Sequence, residues 1–435
     1  MQIWVGITTK DLSTLSHRAI EVAAPGGRLV ASALDGRHLF DSASTVKCVL
    51  NNGKIFTVAP DGHKFDIPLI FTSSTGKVTL SSLSRAGAKG APIYNGALRV
   101  EPIGDSLRAS IRLTLDGYLE GVLTAEMPAS YHAEALKGQA LCARTYALRP
   151  RISHDKDNVN VCDSFLCCQY FAGHGNALDA RIKNAIDSTA SQVIYYQGAP
   201  ILALFSSNAG GHTEDYQNSF SDPVTGAFPP PQLPYLKGVA EGSYPGFTGK
   251  VGSEQFLRYL HSHANMGVSL CADNWTPKFH FSHTLKASDL ESHMHHTVQL
   301  MQADKETHSF ITAPAKGVFG HIKKFVVQKR GVSGQAIELV IETSHGDWLL
   351  RKELIIRKAF AGTRPGLSRL SSARIFFDHS YDKLGLLTQV QVGGLGFGHG
   401  VGFQQTGAQG LARQGMDYRR IIAHYFKDTQ IVSLT

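Results

Sequence analysis

The chain has 435 residues, enough for two or three domains with a sizeable hydrophobic core. Hydrophobic residues make up 43% of it and charged residues 18%, which is typical of folded proteins and excludes an intrinsically disordered chain. The net charge of +8 fits an anionic partner as well as simple solubility, but no motif and no concentrated basic run predicts binding to nucleic acid.

Neither a membrane span nor an export signal is predicted. No apolar run reaches the roughly 18 residues that a transmembrane helix needs. The first residues, MQIWVGITTKDL, lack a basic region followed by an apolar one, so they do not form a secretory signal as written.

Residues 1–100 are predicted to be rich in β-strands. Segments such as MQIWVGIT, KIFTVAP and ALRVEPIG carry β-branched residues and are bounded by turn-forming residues. IRLTLDGYLE then leads from a strand into helices, and further strands are predicted in SQVIYYQG and PILALFSSN. The proline-rich PVTGAFPPPQLPYLKG is predicted to be a loop or a boundary.

Two helices are predicted between Tyr118 and Arg149. Apolar residues at steps of three and four predict the first, and Pro128 is expected to end it near Met127 because proline lacks a backbone donor. Ser130 is the expected N-cap of the second helix. That helix presents a narrow stripe of small apolar side chains: Leu136, Ala140, Ala143 and Ala147.

Glu126 is the residue of chemical interest in this region. It lies beside the predicted helix end and has apolar neighbours. A carboxyl group partly removed from water holds its proton more readily and can act as a general acid. Because charged residues are mostly exposed, the pattern alone also fits a solvated surface side chain.

The composition changes near residue 251. SEQFLRYLHSHANMG is predicted to be helical, and FSHTLKASDLESHMHHTVQLMQ to be helical or mixed. GHIKKFVVQKRG, QAIELVIETSHG and DWLLRKELIIRKAF alternate like strands. We predict a mixed α+β fold with a β-rich core domain and a smaller inserted α+β domain. Its parts are residues 1–100 and 101–250 of the core, residues 251–380 as the insertion, and residues 381–435 as a return to the core.

Two polar motifs are candidates for ligand binding. FSSNAGGHTED, from Phe205 to Asp215, combines hydroxyls, an amide and bare glycine backbone, which suits a hydroxyl-rich sugar but also fits a polar turn. GGLGFGHGVGFQQ, from Gly393 to Gln405, lets the backbone approach a ligand closely, although a tight structural loop has the same composition. Its His399 can donate a hydrogen bond or transfer a proton. The segment lacks the strand, helix and acidic residue of a dinucleotide site, and no organic cofactor is expected.

Clustered Cys and His residues predict a metal site. Zinc takes such ligands in a tetrahedral arrangement, and the ligands we expect are His154, Cys162 and Cys168, with Cys167 as a fourth and His174 nearby. Adjacent strand residues point to opposite faces, so both neighbouring cysteines can bind only if the chain turns there. Free buried thiols or a disulfide remain open alternatives.

Several of these strings together resemble the stage II sporulation protein D family of bacterial peptidoglycan-remodelling proteins. The family pattern includes Tyr-Leu-x-Gly-Val, Glu-Met-Pro, Glu-Ala-Leu-Lys-x-Gln-Ala and Ala-Arg-Thr-Tyr-Ala, found here at residues 118–122, 126–128, 134–140 and 143–147. It continues with Ser-Ser-Asn and Gly-Gly-x-Thr, and with Gly-His-Gly-Val-Gly at residues 398–402. The chain departs from it at Gln404, where the family usually has Ser, and at Cys167, where related zinc sites have His.

The resemblance implies a lytic transglycosylase that cleaves the MurNAc–GlcNAc bond of peptidoglycan glycan strands, stripped of stem peptides, to 1,6-anhydroMurNAc ends. Glu126 would be its single general acid and base, and zinc would be structural. The cell envelope, periplasmic or extracytoplasmic, would be its location. The predicted substrate-binding residues are Gln139, Arg144, Tyr146, Ser206, Ser207, Asn208, Gly210, Gly211, His399, Gly400 and Gln405.

Two other functions remain open at this point. Relatives of the family act as enhancers of cell-wall amidases, so the chain could be a non-catalytic glycan-binding partner of such an amidase. A zinc hydrolase that uses the Cys/His cluster is the second alternative. Three thiolates would weaken the acidity of the metal, which favours structural zinc.

Overall fold

The computed structural model describes residues 1–85, 90–149, 152–175, 177–315 and 317–434. The chain folds into two compact units, one formed by Met1–Leu202 with Ile431–Thr435 and the other by Ala203–Gln430. Helices and sheets occur in both, which confirms the predicted mixed α+β class. The units are cut at different residues from the four predicted parts, and those predicted boundaries stay a prediction.

The first unit begins with short strands in which buried and exposed residues alternate, as expected for sheets with one face on the core. They are β1 Gln2–Ile7, β2 Ala19–Ala23, β3 Leu29–Ala33, β4 His38–Ser42, β5 Val46–Asn51, β6 Lys54–Val58, β7 Lys64–Phe65, β8 Leu69–Ser73, β9 Lys77–Leu80, β10 Ile93–Asn95, β11 Ala97–Ile103 and β12 Ser106–Thr114. The predicted β-rich start is confirmed.

Helices follow these strands in both units. They are α1 Leu115–Glu126, α2 Ala133–Leu148, α3 Ala180–Asp187, α4 Glu254–Asn265, α5 Ala287–Ala303, α6 Glu353–Ala359, α7 Gln405–Arg413 and α8 Tyr418–Tyr425. Within the described ranges, none of them combines the length and the apolar character that crossing a bilayer requires.

The remaining strands are mostly shorter. They are β13 Val161–Cys162, β14 Gln192–Tyr196, β15 Ala199–Pro200, β16 Phe205–Ser206, β17 His280–Lys286, β18 Ile311–Thr312, β19 Ile322–Arg330, β20 Ala336–Thr343, β21 Trp348–Arg351, β22 Arg374–Tyr381, β23 Leu387–Leu395, β24 Phe403–Gln404 and β25 Gln430–Ser433.

Three sheets build the first unit. A seven-stranded sheet has the order β13-β1-β12-β11-β8-β3-β4, a six-stranded sheet has the order β10-β9-β2-β5-β6-β7, and β14 lies between β15 and β25. Strand β13 runs parallel to β1 with Cys162 opposite Gly6, so one cysteine of the predicted metal site is fixed at a sheet edge. Strand β12 ends at Thr114, whose side chain caps α1, so the sheet leads directly into the helices.

Helices α1 and α2 form where the sequence predicts them. The first ends at Glu126, two residues before Pro128, as expected for a helix stopped by proline. The predicted N-cap Ser130 is wrong: a turn between Pro128 and Tyr131 places His132 at the cap, where its Nδ1 accepts the N–H of Glu134 at 3.3 Å. The small side chains of α2 are buried around most of the helix rather than along one stripe.

The second unit contains a four-stranded sheet, β18-β21-β20-β19, and a three-stranded sheet, β17-β23-β22. Its main core is formed by apolar side chains of these strands and of α5 and α6. In the central strand β23, a Cβ on Gly393 would collide with the Phe376 ring and one on Gly394 with the Phe281 ring. The sequence predicted a loop-like segment at these two glycines. In the structure they lie in a strand, where close ring packing requires the absence of a side chain.

Some predicted elements differ from the structure. The run PILALFSSN, predicted as a strand, contributes only to β15 and β16 near its ends, and residues 201–204 between them belong to no strand. DWLLRKELIIRKAF, predicted as a strand, is β21 followed by α6, with Lys352 at φ +74° between them.

Candidate functional site

Glu126 is held at the C-terminal end of α1. Its side chain is partly buried, and its Oε1 accepts a hydrogen bond from the backbone N–H of Tyr170 at 2.9 Å. Because α1 stops ahead of Pro128, this carboxylate sits at a break between helices rather than along a continuous helix face. The surroundings are those of an oriented acid and not of a fully solvated one.

The segment that carries Tyr170 is fastened to both helices. The Gln169 amide donates to the Tyr118 hydroxyl at 2.9 Å and to the Ala143 carbonyl at 3.1 Å, and all three groups are buried. The Phe171 ring packs on the Tyr118 ring, with centroids 5.3 Å apart. A Cβ on Gly121 would collide with the Phe171 ring, so this glycine lets the segment lie directly on α1.

The four predicted metal ligands lie together in the first unit. The ligand atoms of His154, Cys162, Cys167 and Cys168 are all within 4.8 Å of one another, the one such group of three or more in the described part of the chain. His154 Nε2 is 3.1 Å from Cys168 Sγ and 3.4 Å from Cys167 Sγ. The N–H groups of both cysteines reach the Ser164 carbonyl in a turn, which allows the adjacent cysteines to face the same point.

The spacing of these atoms fits a tetrahedral metal ion. Two sulfurs each about 2.3 Å from zinc at the tetrahedral angle would be about 3.8 Å apart, and the Cys167 and Cys168 sulfurs are 3.9 Å apart. The other ring nitrogen of His154 faces Asp157 at 3.7 Å, which in turn accepts from Arg108 at 2.7 Å. Metal-bound histidines commonly have such a carboxylate behind them.

The electrostatics of the cluster also fit a cation. A hydrogen bond from the Cys162 thiol is the main reason why the pKa of Cys167 falls well below its ordinary value. A thiolate is the form of cysteine that binds metal. All six cysteines carry free thiols, so no disulfide competes for these sulfurs. His174, the other histidine of this region, donates instead to the Gly117 carbonyl at 2.7 Å and does not join the cluster.

A cavity of about 690 Å³ opens beside this region of the first unit. Tyr170, whose N–H holds Glu126, lines it together with polar side chains from α1 and from the strand region before it, among them Asn95, Glu120 and Thr124. Its volume falls within the usual range for small-molecule sites. Its lining mixes these polar side chains with apolar ones such as Ile93 and Leu178.

The predicted substrate-binding residues of α2 are buried. Gln139 is 0% exposed, and its amide has no hydrogen-bond partner among the described residues. The Arg144 guanidinium is 1% exposed and donates to the carbonyls of Ile186 and Gln192, at the end of α3 and the start of β14. The Tyr146 hydroxyl donates to the Cys167 carbonyl at 3.3 Å. These contacts favour structural roles for Arg144 and Tyr146, and their role in binding substrate stays a prediction.

The Ser-Ser-Asn motif is largely occupied by internal hydrogen bonds of the second unit. Ser206 donates to Gln404 Oε1 at 2.8 Å and accepts the N–H of Gly400 at 3.1 Å. The Asn208 amide donates to the Thr406 hydroxyl at 2.8 Å, and the whole side chain is 0% exposed. The motif therefore ties the predicted glycine-rich loop to the start of α7, while Ser207 is half-buried.

The two glycines that follow the Ser-Ser-Asn motif allow neighbouring side chains to pack closely against the backbone. Gly210 and Gly211 have φ of +67° and +94°, a region that disfavours other residues. A Cβ on Gly210 would meet Leu395 at 2.7 Å, and one on Gly211 would meet Leu260 at 2.6 Å. The N–H of Gly211 donates to buried Asp273 at 3.1 Å.

His399 is held as a neutral ring with a defined tautomer. Its Nε2 donates to the Phe205 carbonyl at 2.9 Å, and its Nδ1 accepts the Val401 N–H at 3.0 Å. Burial lowers its pKa to about 4, so it is uncharged near neutral pH. Gly400 follows with φ +72°, and Gln405 is 6% exposed in the first turn of α7.

Sequence reasoning missed three residues with exposed side chains around the Ser-Ser-Asn motif and the start of α7. Lys278 donates to the Ser207 hydroxyl at 3.1 Å, and Phe397, 45% exposed, forms two backbone hydrogen bonds with Asn208. Trp275, 40% exposed, donates to the Thr406 carbonyl at 3.1 Å. The sequence around Trp275 does not predict that its ring is exposed, because the exposure of a side chain depends on tertiary structure.

The predicted site residues thus form two groups. Glu126 and the Cys/His cluster belong to the first unit, and Cys168 is only two residues before Tyr170, which bonds Glu126. The Ser-Ser-Asn and Gly-His-Gly motifs belong to the second unit and are joined there by strands β16 and β24, which run parallel. Their roles in binding and catalysis stay predictions.

Comparisons with known proteins agree with this arrangement. A family model described as Stage II sporulation protein matches residues 104–196, from β12 through both helices and the Cys/His cluster to β14. A second model, described as a domain of unknown function, matches residues 234–402 of the second unit.

Three curated proteins illustrate the relationship. Stage II sporulation protein D of Bacillus subtilis is 23% identical over 80% of this chain and 83% of its own length. An uncharacterized protein of Brachyspira hyodysenteriae is 24% identical over 78% of this chain and 72% of its own length. The amidase enhancer of Bacillus subtilis is 22% identical over 86% of this chain, which spans only 50% of that longer protein. The match over residues 104–196 and the relatives named Stage II sporulation protein D support assignment of the chain to the stage II sporulation protein D family.

Proposed function

We propose that the protein is a lytic transglycosylase of the bacterial cell wall. Its substrate would be peptidoglycan glycan strands stripped of stem peptides, and its product would carry 1,6-anhydroMurNAc ends. The single observation that carries the proposal is Glu126, a partly buried carboxylate at a helix break whose Oε1 is held by the Tyr170 N–H. Tyr170, whose N–H bonds Glu126, also lines the cavity of about 690 Å³, although Glu126 is not among the lining residues.

One carboxyl group is sufficient for the proposed reaction. Neutral Glu126 gives its proton to the oxygen between N-acetylmuramic acid and N-acetylglucosamine while the C1–O bond breaks. The 6-hydroxyl of the muramic acid then bonds to C1, and its proton passes to the Glu126 carboxylate. The acid is restored and no water is consumed, whereas glycoside hydrolases commonly need two carboxyls. The nearby Glu134 is paired with Lys137 at 2.7 Å, which leaves the single-acid mechanism the simpler one.

The Cys/His cluster would hold structural zinc in this proposal. Four protein ligands close a tetrahedral site, and a closed site has no position for a metal-bound water. Bound metal would fix the turn that precedes Tyr170 and would thereby keep its N–H on Glu126. This role requires no part of the metal in the sugar chemistry, in contrast to the zinc hydrolase alternative.

Substitution of Glu126 by Gln tests the function. Glu126→Gln keeps the size of the side chain but removes the transferable proton, and we expect it to abolish anhydro products from purified denuded glycan strands. Mass spectrometry of the digest identifies the chain ends. Glu21→Gln, at a partly exposed position of β2 outside the cavity lining, is the matched control and should retain most activity.

Each alternative result has a defined meaning. Undiminished anhydro products from Glu126→Gln would remove the proposed acid. Products with free reducing ends from the unmodified protein would show hydrolysis instead.

A second candidate function follows from one relative. The amidase enhancer of Bacillus subtilis is named for its effect on an amidase, and the same fold in this chain would then present glycan to a partner amidase without cutting it. An absence of any cleavage by the unmodified protein, combined with stimulation of a cell-wall amidase, would establish this function. Both candidates place the protein in the cell envelope.

A further inference from the structure

The second unit presents aromatic and cationic side chains beside a motif that is itself buried. Ser206 and Asn208 are 7% and 0% exposed, and their side chains form hydrogen bonds inside the second unit. Three residues around it have exposed side chains: Lys278 donates to Ser207, Phe397 pairs its backbone with Asn208, and Trp275 donates to the Thr406 carbonyl. The motif therefore holds the surrounding backbone in place, and the three exposed side chains form the surface that a ligand can reach.

Trp275 is held in one orientation while 40% of it remains exposed. Its indole N–H donates to the Thr406 carbonyl at 3.1 Å, and the Arg413 guanidinium lies over the ring with its carbon 4.6 Å from the centroid. Thr406 in turn donates its backbone N–H to the Ser207 carbonyl at 3.1 Å. Such an indole loses little conformational entropy when a ligand stacks on it.

Phe397 and Lys278 form the adjoining part of this surface. Phe397 is 45% exposed, and its backbone pairs with Asn208 through hydrogen bonds of 3.0 and 3.1 Å. The Lys278 ammonium lies 5.7 Å from the Phe397 centroid and 3.1 Å from the Ser207 hydroxyl. Among the described residues Lys278 makes no ion pair within 4.0 Å, so its charge is available to an anionic ligand.

We propose that Trp275, Phe397 and Lys278 form a glycan-contact face that reads the muramic acid of a denuded strand. This inference rests on the proposed peptidoglycan substrate. The C–H faces of sugar rings are apolar and suit the electron-rich faces of Trp275 and Phe397. The lactyl carboxylate of N-acetylmuramic acid can pair with the Lys278 ammonium. Where a stem peptide is attached, this carboxylate is converted to an uncharged amide.

Two ligands separate stacking from charge recognition. Denuded glycan strands carry a carboxylate on every second sugar, while chito-oligosaccharides have the same N-acetyl groups and no carboxylate. Binding is measured with the full chain in a Glu126→Gln background, which prevents cleavage. Intrinsic fluorescence serves as a second readout, because Trp348 is 0% exposed and Trp4 is covered by the Arg99 guanidinium 4.2 Å from its ring.

We expect Trp275→Ala to weaken binding of both ligands by about tenfold. Lys278→Gln should weaken binding of denuded strands about threefold to tenfold, should leave chito-oligosaccharide binding unchanged, and should reduce the salt dependence of strand binding. Trp275→Phe should retain most binding but lose the fluorescence change, which shows stacking at this ring even if the alanine variant is unstable. Tyr381→Ala and Lys383→Gln, exposed residues of the same unit, are the controls.

The proposal and the proposed function fail in different ways. Unchanged affinity in both Trp275→Ala and Lys278→Gln, or no glycan binding by the parent chain, would overturn the glycan-contact face. Equal losses for both ligands in Lys278→Gln would overturn carboxylate reading. If Glu126→Gln in the otherwise unmodified chain still releases anhydro products while Trp275→Ala loses binding, the acid is wrong and the glycan-contact face stands.

Discussion

In the proposed mechanism, the contact of the Tyr170 N–H with Oε1 of Glu126 favours Oε2 as the oxygen that carries the proton. The role of Glu126 as the acid stays a prediction. The sequence predicted the helix end beside Glu126, and the structure confirms it. The sequence did not predict the Tyr170 contact, because that contact joins residues 44 positions apart.

Other side chains show the same limit at the residue scale. Arg144 and Asn208 were predicted to bind substrate from their chemistry and their place in family strings. In the structure they donate to buried carbonyl and hydroxyl groups, and their role in binding substrate stays a prediction. Residue type predicts which hydrogen bonds a group can make, but tertiary structure decides with which partner.

Gly121 supports a prediction about the packing of α1. A Cβ at this position would collide with the Phe171 ring and meet the Gly173 carbonyl at 2.9 Å. We expect Gly121→Ala to lower the free energy of unfolding by about 2–3 kcal/mol, despite the better helix propensity of alanine. Thermal unfolding monitored by circular dichroism measures the change.

Gly117→Ala is the matched control in the same helix. Its added Cβ would meet only the Thr114 hydroxyl, at 3.0 Å. That change should alter stability by less than about 1 kcal/mol. Equal effects of the two substitutions would contradict the proposed close packing of Phe171 on α1.

The segment from His154 to Phe171 connects the Cys/His cluster with Glu126. Its cysteines converge in a turn, its Gln169 fastens it to α1 and α2, and its Tyr170 bonds Glu126. The clustered Cys and His residues made the site predictable from sequence. The turn that brings the adjacent cysteines to one point was a stated condition and not a prediction, since both face one way only after the chain bends at Ser164.

Cys168→Ser tests this connection. The unmodified protein should contain about one equivalent of zinc by elemental mass spectrometry, and the variant should lose it, because a hydroxyl is a poor zinc ligand. Stability linked to metal binding, about 2.7 kcal/mol when free zinc is 100-fold above Kd, should be lost as well. Glycan cleavage should fall, because the turn before Tyr170 is no longer fixed.

Cys48→Ser is the control for this variant. Cys48 is a buried free cysteine on β5, outside the cluster. It should retain zinc even if it lowers stability. Full cleavage by a zinc-free Cys168→Ser protein would contradict the link between the cluster and Glu126.

The secondary structure was predictable where local signals were strong. Pro128 marked the end of α1, and alternating residues marked β19 and β20. The boundary between β21 and α6 was missed because Lys352, a residue that disfavours positive φ, takes φ +74° there. No composition rule signals such a residue.

At the scale of the whole molecule, the first unit is interrupted by the second. Its chain leaves at Leu202 and returns at Ile431, where β25 joins β14 in a three-stranded sheet. The composition change near residue 251 predicted an insertion followed by a return to the core, but it gave no sign that the returning segment has only a few residues.

Truncation after Thr429 tests the contribution of β25. Without this strand β14 becomes an edge, and amides of residues 192–196 should exchange hydrogen faster by at least about tenfold, since fewer backbone groups are paired. Peptides from α5 and β20 in the second unit serve as the internal control and should exchange as before. Unchanged exchange along β14 would show that β25 adds no protection.

The position of β25 at the end of the chain also limits the order in which the two units can fold during translation. A ribosome delivers residues from the N-terminus, so the last strand of the first unit emerges only after all of residues 203–430. Domains generally fold as units while the chain is still growing. The second unit can therefore become compact first, and the sheet around β14 gains its final partner only when translation has passed Ser433.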